Sequence, residues 1–271
     1  MKGLQFLFSR LGPLAPGLMG RFGLWLWRRT RRFPISASEQ RLHDKARRQP
    51  IDTPFGRVMV YHWGEGPAVL LVHGWNGRAT QMGGFVSPLV RAGYRVVAVD
   101  APGHGASAGR QSSVLAVAGA LLAVGREQGP YHAAITHSFG CAGLLNAMSE
   151  GLSVSRVACI SPPNRFEWLI AAYAQALEMP PAVQVAMMRQ LEARYGADFW
   201  ERVAPDALAG ALRIPGLIIH DRDDHQVPWR QGRNIARAWP GAELVLTRGQ
   251  GHSRILYHRD TIRRVLGFVV D

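Results

Sequence analysis

Cysteine is almost missing from this 271-residue chain: Cys141 and Cys159 are the only two. Both lie in apolar segments, Cys141 just after Ser138-Phe139-Gly140 and Cys159 within Val157-Ala158-Cys159-Ile160. They lack metal-ligand spacing and are too few for a disulfide scaffold, so buried free thiols are expected and a zinc site is not. Acids are scarce too, 19 against 32 lysines and arginines, for a formal net charge of +13. That excess is uneven. Residues 1–57 hold 12 basic residues against Glu39, Asp44 and Asp52, whereas the rest of the chain holds 20 against 16. Zinc-finger, helix-turn-helix and RNP-type aromatic motifs are all missing, so the charge does not indicate nucleic acid. No G-x-x-x-x-G-K-S/T loop occurs, no G-x-G-x-x-G follows a first strand, and no nucleotide cofactor is expected.

What is present begins with a basic arm. Leu18, Phe22 and Trp25 recur at i, i+4 and i+7, interleaved with Arg21, Arg28, Arg29, Arg31 and Arg32. Such a segment can lie along an anionic membrane surface, so one expectation for residues 1–33 is peripheral membrane contact. The other is that the arm packs its tryptophans against the body of the protein. Pro13, Pro16 and Arg21 interrupt the apolar run, which argues against a membrane span. Arg10 cuts the early apolar stretch short and no small-residue cleavage site follows, which argues against a signal peptide. A cytoplasmic location, membrane-peripheral under the first expectation, is the reading. From Ser36 to Asp52 the pattern is polar and reads as a helical connector ending near Pro50, so residues 1–55 form arm and connector.

With 47% apolar residues the chain can bury a sizeable core, and its length suits one α/β unit with an insertion. Apolar runs at Val58–Tyr61, Ala68–Val72, Tyr94–Val99, His132–Ile135, Val157–Ile160, Leu217–Ile219 and Leu244–Leu246 read as strands. Several are apolar throughout, as strands of a parallel sheet covered on both faces are. Helical stretches at Thr80–Arg91, Ser113–Glu127, Phe139–Glu150, Gln231–Trp239 and Asp260–Val269 alternate with them. Strand–helix alternation predicts a doubly wound α/β fold with reactive groups at the carboxyl ends of strands. Residues 162–213 break the rhythm with helical character at Phe166–Leu177, Ala182–Tyr195 and Asp198–Val203. They read as a cap inserted over the site, leaving 56–161 and 214–271 as the core.

Chemistry-bearing residues cluster at the strand ends. Ile135-Thr136-His137-Ser138-Phe139-Gly140 is an apolar strand that breaks at a serine and continues as a helix. A serine hydroxyl becomes a nucleophile when a sharp turn exposes it and a base takes its proton, which makes Ser138 the candidate. His220-Asp221-Arg222-Asp223-Asp224-His225-Gln226-Val227-Pro228 supplies the acid that would orient such a base. Asp224 is preferred, with Asp223 in reserve and the remaining acids read as a solvated loop pairing with Arg222 or Arg230. His252, between Gly251 and Ser253 on a flexible turn, is the candidate base. Two backbone donors are needed for an oxyanion, and Phe139 and Trp75 are placed to supply them. Asp100 and His104, within Asp100-Ala101-Pro102-Gly103-His104-Gly105, are expected to brace a tight turn.

His73-Gly74-Trp75, Asp100 to Gly105, His137-Ser138-Phe139-Gly140, His220–Pro228 and Gly251-His252 together resemble the α/β-hydrolase superfamily. Within it the chain is similar to a bacterial branch with a small helical cap. The resemblance runs from about Gly56 to the C-terminus and departs from the commonest frame at Thr136 and Cys141. It implies an eight-stranded, mostly parallel sheet, a Ser138–Asp224–His252 triad, and no metal or organic cofactor. The function expected is cleavage of an ester or related small-molecule acyl substrate through an acyl-enzyme. The alternative, from another class, is a non-catalytic binding or membrane-associated scaffold on the same fold. Oligomeric state is not readable from the residues.

Overall fold

The computed structural model describes residues 2–270. Eight strands form one sheet: β1 (Arg47–Ile51), β2 (Val58–Trp63), β3 (Ala68–Val72), β4 (Arg95–Asp100), β5 (Ala133–His137), β6 (Val157–Ile160), β7 (Gly216–Asp221) and β8 (Glu243–Thr247). Their order is β1-β2-β4-β3-β5-β6-β7-β8. β2 runs antiparallel to β1 and to β4, and every other neighbouring pair is parallel. β3, β5, β6 and β7 are buried along their whole length. Alternate residues serve opposite faces. Leu70 and Val72 join one core with Leu121, Val124 and Leu144, while Val69 and Leu71 join the other with Met82, Phe85 and Leu89. The period-2 geometry of a strand divides one apolar run between two layers of helices.

Helix boundaries follow local signals closely. Helix Val114–Gln128 starts one residue after Ser113, whose hydroxyl accepts the Ala116 N–H as a cap. Helices Phe139–Ser149, Arg230–Ala238 and Arg259–Val270 fall where the pattern places them. The stretch 36–52 differs from its reading as a helical connector. Ser36 caps a helix only over Ala37–Asp44, through a capping box with Glu39. Arg47–Ile51 then pairs with β2 as an edge strand, in register from Arg47 opposite His62 to Ile51 opposite Val58. Its polar composition and Pro50 hide it in the sequence, yet an edge strand tolerates both, because one side of its backbone needs no partner.

The chain divides into two compact units: the larger holds Thr30–Asn164 and the residues from Pro205 on, the smaller the residues up to Arg29 and Arg165–Ala204. In the smaller unit, helix Pro16–Trp27 packs on helix Pro181–Tyr195. Gly20 and Gly23 permit the close approach: a Cβ at Gly20 would lie 2.9 Å from the Ala186 Cβ, and one at Gly23 would lie 2.9 Å from the Met187 Sδ. The Trp27 ring meets Tyr173 edge-on at 4.9 Å. Sequence pattern alone does not show that the arm and the insertion build one body.

Candidate active site

β5 ends at His137, and helix Phe139–Ser149 begins one residue later. Ser138 makes the turn with φ 50° and ψ −124°, a conformation costly for a residue with a side chain. Its N–H donates to the Ile160 carbonyl at 2.8 Å, which fastens the turn to β6. Gly140 makes room for it, since a Cβ there would lie 2.6 Å from the His73 carbonyl oxygen and 2.7 Å from that of Val72. Thr136 sits opposite Cys159 in the sheet, fully buried, and its hydroxyl donates to the Ala158 carbonyl at 3.4 Å. The threonine is thus absorbed by the sheet while Ser138 keeps the strained backbone.

The other two candidates converge on that serine. His252 Nε2 lies 3.0 Å from Ser138 Oγ, and His252 Nδ1 lies 2.7 Å from Asp224 Oδ2. A carboxylate only accepts, so Nδ1 carries the proton and Nε2 is left to accept from the serine. Asp224 is buried at the end of the β7 loop. Its Oδ1 accepts the N–H groups of Gln226 and Val227, each at 2.9 Å. Burial alone would raise this carboxyl. Hydrogen bonds from His220 and His252, the charge of His252 and the Val227 N–H outweigh it and hold the group well below the ordinary carboxylate range.

Asp223 and Asp221 have different work. Asp223 is exposed, and its Oδ2 accepts the Gly249 N–H at 2.8 Å. Asp221 is fully buried, contrary to its reading as part of a solvated loop. Its Oδ2 accepts the Thr247 hydroxyl at 2.6 Å and the Gln250 N–H at 3.0 Å, and its Oδ1 accepts the Asp223 N–H at 2.9 Å. Asp221 therefore ties the loop that bears Asp224 to the turn that bears His252. The Arg222 and Arg230 side chains lie over the Trp229 ring.

Trp75 and Phe139 stand together, their rings edge-on at 5.0 Å. Phe139 opens the helix after Ser138, and Trp75 follows β3 in the loop held by His73. His73 Nε2 accepts the Ala101 N–H at 3.0 Å, so Nδ1 carries the proton and donates to the Gly74 carbonyl at 2.7 Å. Burial lowers the His73 pKa to about 4, keeping that tautomer neutral. Asp100 braces its loop with Oδ1 on the Ala79 N–H at 2.7 Å and Oδ2 on the Ala106 N–H at 2.7 Å and the Tyr61 hydroxyl at 3.0 Å. His104 Nδ1 donates to the Pro102 carbonyl at 3.0 Å. Neither Asp100 nor His104 is hydrogen-bonded to Ser138 or His252. The Cys141 and Cys159 thiols face each other at 2.7 Å, both buried, and burial followed by the neighbouring thiol pushes Cys141 up. Among the described residues no group of three or more His, Cys, Asp and Glu is arranged to hold a metal ion.

Two histidines with a part in this arrangement escape sequence reasoning. His137 Nε2 donates to the main-chain carbonyl of His252 at 2.9 Å, across 115 residues of chain. His220 Nε2 donates to the Val227 carbonyl at 2.9 Å and lies 3.4 Å from Asp224 Oδ2. Both sit within the motifs, but as apolar-strand residues they read as core; only the approach of distant loops gives them partners.

The same fold recurs in solved structures. A lipase from Acinetobacter baumannii, itself described as putative, superposes with a TM-score of 0.65 at 17% identity, over 88% of this chain and 97% of that one. An esterase from Exiguobacterium antarcticum superposes with a TM-score of 0.63 at 16% identity, over 82% and 99%. In sequence, 48 residues are 42% identical to a putative carbamate hydrolase, RutD, from Pseudomonas savastanoi pv. phaseolicola, a match spanning 18% of each protein. The sequence model of the alpha/beta hydrolase family matches residues 69–265, which include all but the first residue of β3, the strands β4 through β8 and all five candidate residues. With the strand order and the serine turn after β5, that match means the chain belongs to the alpha/beta hydrolase family.

Proposed function

We propose that the protein is a serine hydrolase that cleaves an ester or related acyl bond through a covalent acyl-enzyme. The observation that carries the proposal is the unbroken hydrogen-bonded series from Asp224 Oδ2 through His252 to Ser138 Oγ, at 2.7 and 3.0 Å. In this reading the Ser138 hydroxyl attacks the acyl carbon as its proton passes to His252 Nε2. The N–H groups of Phe139 and Trp75 receive the oxyanion, and losing one such donor costs about 10²–10³ in turnover. The tetrahedral species collapses as His252 protonates the departing alcohol, and Ser138 keeps the acyl group. Water then attacks the ester, giving its proton to His252, and the carboxylic acid leaves as Ser138 regains its hydrogen. Asp224 stays ionised and holds the imidazole tautomer.

A fluorophosphonate probe tests the assignment directly. Labelling of the wild type and none of Ser138→Ala is expected; an unreactive wild type would favour the scaffold reading. A panel of p-nitrophenyl esters of rising acyl length, with a thioester, a lactone, an amide and a carbamate, then sorts the bond class. The carbamate is included because of the RutD similarity.

A further inference from the structure

We infer that the outer face of the N-terminal helix pair docks on an anionic lipid bilayer. Helix Pro16–Trp27 buries Met19, Gly20 and Gly23 and leaves Leu18 and Trp25 exposed, with Phe22 half-buried beside Trp25. Leu18 is 65% exposed and Trp25 44%; the turn before the helix exposes Leu14 at 80%, and helix Lys2–Leu11 exposes Phe6 at 65%. On a face with nothing to bind, groups of this size would ordinarily be polar, and a contiguous exposed apolar set marks an interaction surface.

Charge selects the partner. The residues up to Arg29 contain five basic side chains and no acid, and the first acid of the chain, Glu39, follows seven basic residues. Arg165–Ala204, in the same unit, carries four basic and five acidic residues, so the positive excess lies with the exposed apolar groups. The two kinds of group are also paired in space. The Arg29 guanidinium lies over the Trp25 ring at 4.5 Å, Arg10 lies over Phe6 at 5.6 Å, and Phe22 stacks on Trp25 at 5.8 Å. An apolar ring carrying a guanidinium fits a headgroup layer, with the ring at the acyl boundary and the cation on phosphate. Leu14, 80% exposed, and Leu18 add the apolar component that an acyl boundary takes up beside the phosphates. Among the described residues no helix is long and apolar enough to cross a membrane, so the contact lies in the interfacial plane.

Co-sedimentation of the full chain decides the matter. Phosphatidylcholine vesicles with about 30% phosphatidylglycerol, and vesicles without it, are compared at about 50 and about 500 mM NaCl. The wild type is expected to pellet with the anionic vesicles at low salt, with affinity at least about tenfold weaker at high salt. A basic residue near an anionic surface is worth about fivefold, so Arg10→Glu, Arg21→Glu and Arg29→Glu together should lower affinity more than about a hundredfold. Leu18→Ser with Trp25→Ser should weaken binding at both salt concentrations. All five positions are exposed, and unchanged thermal melts verify that the variants keep their fold. A wild type that stays in the supernatant with anionic vesicles overturns the inference. So does a charge-reversed chain of unchanged melt that pellets as well as wild type, because binding would then not depend on anionic lipid.

Discussion

The His137 imidazole donates to the main-chain carbonyl of His252 at 2.9 Å, so the residue before the serine holds the backbone of the candidate base. The two rings lie 4.8 Å apart. Burial, then the neighbouring charge of His252, lowers the His137 pKa to about 3, so it stays a neutral donor. The arrangement couples the serine turn and the histidine turn without a third element.

Removing that tether should loosen the base and leave the substrate site alone. His137→Leu is expected to lower kcat about fivefold with KM unchanged, the loss of one buried hydrogen bond near 1 kcal/mol. His137→Gln, which keeps a donor, should recover part of the rate. Steady-state kinetics on a p-nitrophenyl ester supply the check; equal rates for Leu and wild type would remove the positioning role.

The two adjacent acids should separate sharply. Asp224→Asn replaces the carboxylate on His252 Nδ1 and should lower kcat by about 10⁴, as loss of a triad acid does elsewhere. Asp223→Asn removes only a contact with the Gly249 N–H and should stay within about threefold, the scale of one exposed hydrogen bond. Equal losses in the two variants would contradict the assignment of Asp224.

An acid loss of stability follows from the buried histidines, among them three near the site. Burial lowers His73 to about 4, and His104 and His137 to about 3. Their unfolded-state value is near 6.5, so the unfolded chain binds more protons below that pH and stability falls as pH falls. Between pH 7 and pH 5 each group should cost about 2 kcal/mol, about 6 kcal/mol in all, comparable with the total stability of many domains. Asp224 adds a loss only at lower pH, since its folded pKa is depressed and its contribution persists until the carboxylate protonates. Thermal melts from pH 7 to 5 should show a steep drop in Tm; a flat profile would contradict the neutral, buried state of these rings.

A glycine at position 136 should not improve activity. Thr136 is fully buried in β5, and Ser138 already has its strained turn. Thr136→Gly adds chain entropy and a void, with an expected cost of about 2 kcal/mol and no gain in kcat. Gly140→Val, by contrast, should abolish soluble folded protein, because its Cβ would meet the His73 and Val72 carbonyls. Denaturant midpoints distinguish the two outcomes.

Elements governed by neighbours a few residues away were readable in advance. The helix read over Ser113–Glu127, the apolar strands and the Ser–Gly break after β5 depend on spacing and turn chemistry, which the sequence displays. β1 was not readable, since Arg47–Ile51 owes its extended state to pairing with β2 and carries no apolar period and, apart from Ile51, no strand-forming residue. Asp221 was misplaced for a related reason: an acid in a charged loop reads as solvated until Thr247 and Gln250 supply donors.

By itself, then, the sequence determined the alternation of strands and helices, the chain order of Ser138, Asp224 and His252, and the basic character of the arm. Tertiary structure decided which aspartate reaches His252, what His137 and His220 hold, and which face of helix Pro16–Trp27 turns outward. Periodicity and turn preference act over a few residues, whereas the Ser138–His252 and His137–His252 contacts close 114 and 115 residues of chain. Only strand order and register, set by the packing of the whole sheet, bring such distant side chains within hydrogen-bond reach.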